Sequence, residues 1–164
     1  MTERHFAAAL AFFVALTTLG LALAVGFTRP VFGDALARPA VVAAHATLAV
    51  FGAVLTTVFG ALYQLVPMFG QTALDDVDHR LQRVESACYP VGVVVLAAGR
   101  LVGSAPLARV GAVGLLVGVL AVLVVLARRL RDARAERTPM LVRYARLTPI
   151  TLGWALPTLP AWLR

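Results

Sequence analysis

The sequence predicts an all-α protein, an integral membrane helical bundle of four transmembrane helices with a short, proline-kinked fifth. Three observations carry this expectation. Of the 164 residues, 60% are hydrophobic, against roughly 45–50% in an ordinary soluble domain, so lipid is needed to cover part of the apolar surface. Charge-free runs recur at the length that crosses a hydrocarbon core of about 30 Å, near 20 residues each. An arginine-rich stretch then follows the fourth run, as cationic flanks follow membrane helices on their cytoplasmic side. These spans use up most of the chain, so residues 1–164 read as a single transmembrane domain.

The elements follow in order. Residues 6–28 carry no charge and form the first span, read as a retained helix because no convincing cleavage site of small residues follows it. Arg29, Pro30, Gly33, Asp34 and Arg38 make a short polar connection. From Pro39 to Leu74 there is no Asp, Glu, Lys or Arg, and His45 is the only histidine. The second span is therefore expected over about residues 39–69, with Pro39 in the first turn, where its missing N–H has no intrahelical partner to lose. Residues 71–85 read as a polar connection, holding Asp75, Asp76, Asp78, His79, Arg80, Arg83 and Glu85. The third span, 86–103, has Arg100 near its end, from where a long stem can snorkel to the headgroups. Residues 110–127 form the fourth. Residues 147–163 are apolar again but contain Pro149, Pro157 and Pro160. They suit a short kinked fifth span or an interfacial segment anchored by Trp154 and Trp162, the span being the reading adopted.

Charge sets orientation and excludes other classes. The net charge is +7, and seven arginines from Arg128 to Arg146 against Asp132 and Glu136 supply most of it. Beside a hydrophobic segment such a cluster is a topology signal with anionic lipid as its neighbour, and no nucleic-acid motif accompanies it. Placing 128–146 in the cytoplasm puts the N-terminus and residues 71–85 there too, and His45 at the outer end of a multi-pass cell-membrane protein. Cys88 is the only cysteine, which excludes intrachain disulfides, cysteine zinc sites and covalent c-type haem attachment. No phosphate-binding loop and no nucleophile–base arrangement occurs, and no acidic residue falls within the spans as drawn, so neither catalysis nor transport has an evident seat.

One constellation carries chemistry. An ionisable side chain at membrane depth is expensive and raises a functional hypothesis by default. At about 100° per residue, Gly52, Thr56, Phe59 and Tyr63 lie within about 40° of His45 on one helix face, with Gly60 about 60° away. Gly52, Thr56 and Gly60 recur every fourth residue, a stripe that lets a neighbouring helix or a flat cofactor approach the backbone. A stripe of this kind also serves plain helix packing, and a lone histidine also serves as a hydrogen-bonding partner between helices. Tyr63 with Gln64 suits a polar interhelical contact, or Tyr63 alone an interfacial anchor.

The run His45, Gly52, Phe59-Gly60, Tyr63 and Pro67 resembles the second helix of small proteins related to the haem–copper oxidase catalytic subunit (cbb3-type cytochrome c oxidase subunit I-like). Thr47 stands where those relatives carry a second histidine. The resemblance implies that His45 is the position of a haem-iron ligand and that haem b is the cofactor, for electron transfer or gas sensing. Arg38, two turns before His45, would meet a haem propionate or a lipid phosphate. The chain holds only His5, His45 and His79, too few for the haems and copper of an oxidase, so oxygen reduction by this chain alone is not expected. Met68 lies about 34 Å from His45 along the same helix and His79 on the opposite side of the membrane. A second axial ligand would come from another copy in a homodimer or from a respiratory membrane subunit. The alternative is a haem-free scaffold or accessory subunit of a respiratory complex that uses the Gly52/Thr56/Gly60 stripe for packing. An acidic cluster of Asp75, Asp76, Asp78 and His79 reads as a solvated loop.

Overall fold

The computed structural model describes residues 2–26, 37–70 and 73–132. They form four helices: α1 (Thr2–Val25), α2 (Arg38–Gly70), α3 (Asp76–Leu101) and α4 (Ala105–Asp132). Each is long and apolar enough to cross a membrane, and no strand occurs among the described residues. The all-α membrane bundle is thus the fold observed. The segment expected as a fifth span lies outside the described residues.

The helices α3 and α4 form an antiparallel hairpin that closes most tightly at its glycines. Gly92, Gly99, Gly111 and Gly118 sit where a β-carbon would run into the other helix; at Gly92 and Gly111 the obstacles are the backbone nitrogens of Leu115 and Leu96. Small residues at a seam let two membrane helices gain dispersion contacts along their backbones, the main source of association where water is absent. The turn is shorter than the sequence predicts. Gly103 adopts φ +67°, Ser104 N–H donates to Gly99 C=O at 2.8 Å and Gly103 N–H to Arg100 C=O. This pairing satisfies the last carbonyls of α3 and needs a left-handed residue, which glycine supplies without strain.

The helix α3 also starts about ten residues earlier than expected, at Asp76 rather than near Ser86. Asp75 caps it: its carboxylate accepts Asp78 N–H at 2.9 Å, while the Asp78 carboxylate accepts Asp75 N–H at 3.2 Å. This reciprocal cap satisfies donors that a helix start otherwise leaves open. The polar residues that look like a loop occupy one buried helical face, Asp78, Gln82, Glu85 and Tyr89.

Packed on the hairpin is α2, with Phe59 and Tyr89 meeting edge to face at 5.0 Å between ring centroids. Pro39 stands in its first turn, as expected. Its middle, Leu48–Leu55, widens into a π-helical segment. Tyr89 O–H donates to Phe51 C=O at 2.6 Å, and Thr56 O–H reaches the same carbonyl at 3.3 Å. Widened turns free carbonyls for such bonds and recur at functional sites. The helix α1 lies outermost, antiparallel on α2, and most of its surface is left for lipid.

Candidate functional site

His45, Gly52 and Gly60 do share a face, and the structure shows what lies against it: α1 of the same chain. A β-carbon at Gly52 would meet the Phe12 ring at 2.7 Å, and one at Gly60 would meet His5 Cβ at 2.9 Å. The close approach that the stripe allows is taken up by these side chains. Thr56 is buried as well, its hydroxyl turned to the Phe51 carbonyl that also accepts from Tyr89 of α3. Arg38 is the first residue of α2 and exposed.

His45 itself is half-buried, its imidazole seated against Gly20 of α1. A β-carbon at Gly20 would come 2.9 Å from His45 Cε1 and 3.5 Å from Nδ1. His45 Nδ1 is buried with no hydrogen-bond partner, although burying an unpaired polar atom costs a few kcal/mol, about 1–3 by protein mutation. One nitrogen of the half-buried imidazole, Nδ1, is thus enclosed against α1 without a partner among the described residues.

A second group of ionisable residues gathers at the opposite end, beside the N-terminus and Arg128. His5 Nε2 and a Glu85 carboxylate oxygen are 2.8 Å apart, both side chains nearly inaccessible. Tyr63 lies beside them, its ring centroid 5.4 Å from that of His5. Tyr63 is a buried contact rather than an interfacial anchor, whereas Gln64 is exposed. Nearer the helix ends, Arg128 pairs with Asp75 at 2.6 Å and Asp78 at 3.0 Å, and Arg129 with Asp78 at 2.8 Å and Asp132 at 3.0 Å. Arg129 also donates to Ala73 C=O at 2.7 Å. The Asp78 N–H, followed by the Arg128 guanidinium, holds the Asp75 carboxyl below its ordinary range.

The reading of residues 71–85 as a connection hides this group. Glu85 and Asp78 are acidic residues within a membrane-length helix, contrary to expectation, and both are fully buried. His5 falls inside α1 rather than ahead of the first span. The acidic cluster divides: Asp75 and Asp78 cap α3 and pair with arginines, while Asp76 and His79 are exposed. The signal was in the spacing. Asp78, Gln82, Glu85 and Tyr89 step by four, three and four residues, a helical face and not a loop.

Comparison with known protein families, characterised proteins and solved structures returns no match.

Proposed function

We propose that this chain is a multi-pass protein of the cell membrane that binds b-type haem through His45 and serves electron transfer or the sensing of a diatomic gas. The observation that carries the reading is the His45 imidazole, seated against Gly20 with a buried nitrogen that has no protein partner. Gly20 supports it from the other helix, since any larger residue there would displace the ring. Haem would supply a reversible one-electron iron centre, or a site for the gas, with the imidazole as axial ligand. Arg38 stands two turns before His45, at the end of α2 where carboxylates of such a group would be paired. With residues 128–146 and the N-terminus in the cytoplasm, His45 faces the outer side.

A second axial ligand is not offered from within the described part of the chain. His5 packs against Gly60, about 22 Å from His45 along α2, and is bonded to Glu85. Met68 and His79 lie towards that same distant end. Six-coordination would therefore take a second copy, His45 to His45, or a respiratory membrane subunit. A haem-free scaffold would have to use a face other than the small-residue stripe, because α1 covers it.

The test is reduced-minus-oxidised absorption of the whole protein, purified after haem-replete expression, beside His45→Ala. The wild type is expected to show a haem spectrum with a split or shifted Soret band on reduction, and the variant to lose it while keeping its helix content. A wild type that carries no haem would sink the reading.

A further inference from the structure

The group at the arginine end has no part in that reading, and its chemistry is distinct. Four polar atoms there are buried without a protein partner: His5 Nδ1, Glu85 Oε1, Tyr63 Oη and Gln82 Oε1. They belong to side chains that are each at least nine-tenths buried, His5 4%, Glu85 0%, Tyr63 5% and Gln82 2% exposed. One such atom is an ordinary imperfection. Four on neighbouring side chains from three helices mark a polar interior that internal water would satisfy, each molecule bridging about three groups.

We propose that the His5–Glu85 pair is a proton-binding site that exchanges its proton with water at the arginine end of the bundle, through internal water held by Tyr63 and Gln82. The pair holds one proton between Nε2 and Oε2 and is then neutral overall. A second proton would leave imidazolium beside carboxylic acid, net positive; losing the first would leave imidazole beside carboxylate, net negative. A low-dielectric interior opposes both charged states, and favours the neutral acid and neutral imidazole over the ion pair. The Nε2–Oε2 contact of 2.8 Å shares one proton, whichever of the two atoms carries it. Exchange replaces it without leaving a net charge behind: water delivers a proton to Glu85 Oε1, the shared proton ends on His5 Nε2, and the proton on His5 Nδ1 passes to water.

The polar groups around the site are distributed towards one end of the bundle. From α1 it is faced by His5, from α2 by Tyr63, and from α3 by Asp78, Gln82, Ser86 and Tyr89; Ser86 Oγ lies 3.4 Å from the carboxylate. Arg129 of α4 meets the site through Asp78. Towards the middle of the membrane the line stops, because Tyr89 O–H is committed to the Phe51 carbonyl. Towards the arginine end the same face of α3 carries Gln82 and then the buried Asp78, which is bonded to Asp75, whose side chain is 45% exposed. From Asp75 to Glu85 along α3 is about 15 Å, the depth the exchanged proton must cover.

The experiment is infrared difference spectroscopy of the whole chain in lipid nanodiscs, titrated over about pH 4–10, a range that spans carboxyl and imidazole titration, and transferred to D2O. The wild type is expected to show a protonated-carboxyl C=O band that shifts in D2O within seconds, disappears at high pH and is missing in Glu85→Gln. In His5→Gln the band should titrate at a different pH. Tyr63→Phe, which keeps the ring, should slow the D2O shift about tenfold, the equivalent of roughly one hydrogen bond's 1.4 kcal/mol. Should Glu85→Gln fail to fold, the Tyr63→Phe rate decides alone. The proposal is overturned by a missing band, by a band that survives Glu85→Gln, or by an exchange rate that Tyr63→Phe leaves unchanged. None of these readouts involves haem, so this site and the His45 reading stand or fall separately.

Discussion

The protein builds two helix interfaces on glycine, and they differ in what the glycine admits. Between α3 and α4 three glycines admit backbone: Gly92 faces the Leu115 nitrogen, Gly99 the Ala108 nitrogen and Gly111 the Leu96 nitrogen. Between α1 and α2 the glycines admit rings. Gly52 takes Phe12, Gly60 takes His5, and in return Gly20 of α1 takes His45 of α2. The first arrangement makes a stiff hairpin with nothing reactive inside it. The second places the buried His5 and the half-buried His45 in one seam, one near each end. The two proposed sites both lie in the looser interface, against which the tight hairpin is packed.

The comparison is broken most severely by adding one carbon to the tight side. In Gly111→Ala the new methyl would overlap the backbone of α3, and no flexible side chain is there to give way. Overpacking of this kind costs typically 1–3 kcal/mol and occasionally more, so the variant should lose about 3 kcal/mol or fail to accumulate. Thermal unfolding in detergent, followed by circular dichroism, measures it. A loss below about 1 kcal/mol would show that the hairpin can open and would remove the contrast.

Gly20→Ala applies the same change to the looser side. There the nearest obstacle is Cε1 of the His45 ring, the far end of a side chain with two rotatable bonds, so the helices need not move. Stability should fall by less than about 1 kcal/mol, within the range of a small side-chain readjustment. If His45 ligates haem, the spectrum should nevertheless shift or weaken, because the ring turns. Equal destabilisation by Gly20→Ala and Gly111→Ala would mean that ring and backbone seams are equally rigid.

The membrane class, the four spans and the face joining His45, Gly52 and Gly60 were all readable from the sequence, because hydropathy and helical period act locally. The start of α3 was not. Asp75 to Glu85 is polar enough to read as a loop, and only tertiary partners settle it: Arg128 and Arg129 of α4 neutralise Asp75 and Asp78, and His5 of α1 meets Glu85 across eighty positions of sequence. The spacing of Asp78, Gln82, Glu85 and Tyr89 pointed to a helix, but hydrophobicity averaged over a window outweighed it. What fills the stripe on α2 was likewise open, since small residues announce a close approach without saying to whom.

The smallest expected effect concerns how the tight interface is fastened at its open end. The hairpin is closed by the Gly103 turn on one side and by charges on the other, where Asp75 both caps α3 and meets Arg128 of α4. Its carboxyl titrates below the ordinary value, first because it accepts the Asp78 N–H and then because the Arg128 guanidinium lies beside it. A carboxyl whose folded pKa is depressed contributes stability that is present above its unfolded pKa of about 4 and is lost as pH falls through the folded value. Asp75→Asn separates the cap from the charge, since asparagine caps about as well as aspartate. Above about pH 5 the variant should melt slightly below the wild type, and as pH drops under about 4 the two curves should converge. The offset is small because Asp75 is partly solvated and water screens its pairs. If it persists unchanged at the acid end, the contribution of Asp75 lies in its shape and not in its charge. Charge would then fasten the hairpin only through Asp78, beside the glycine packing, and the contrast with the seam that α1 makes would be sharper still.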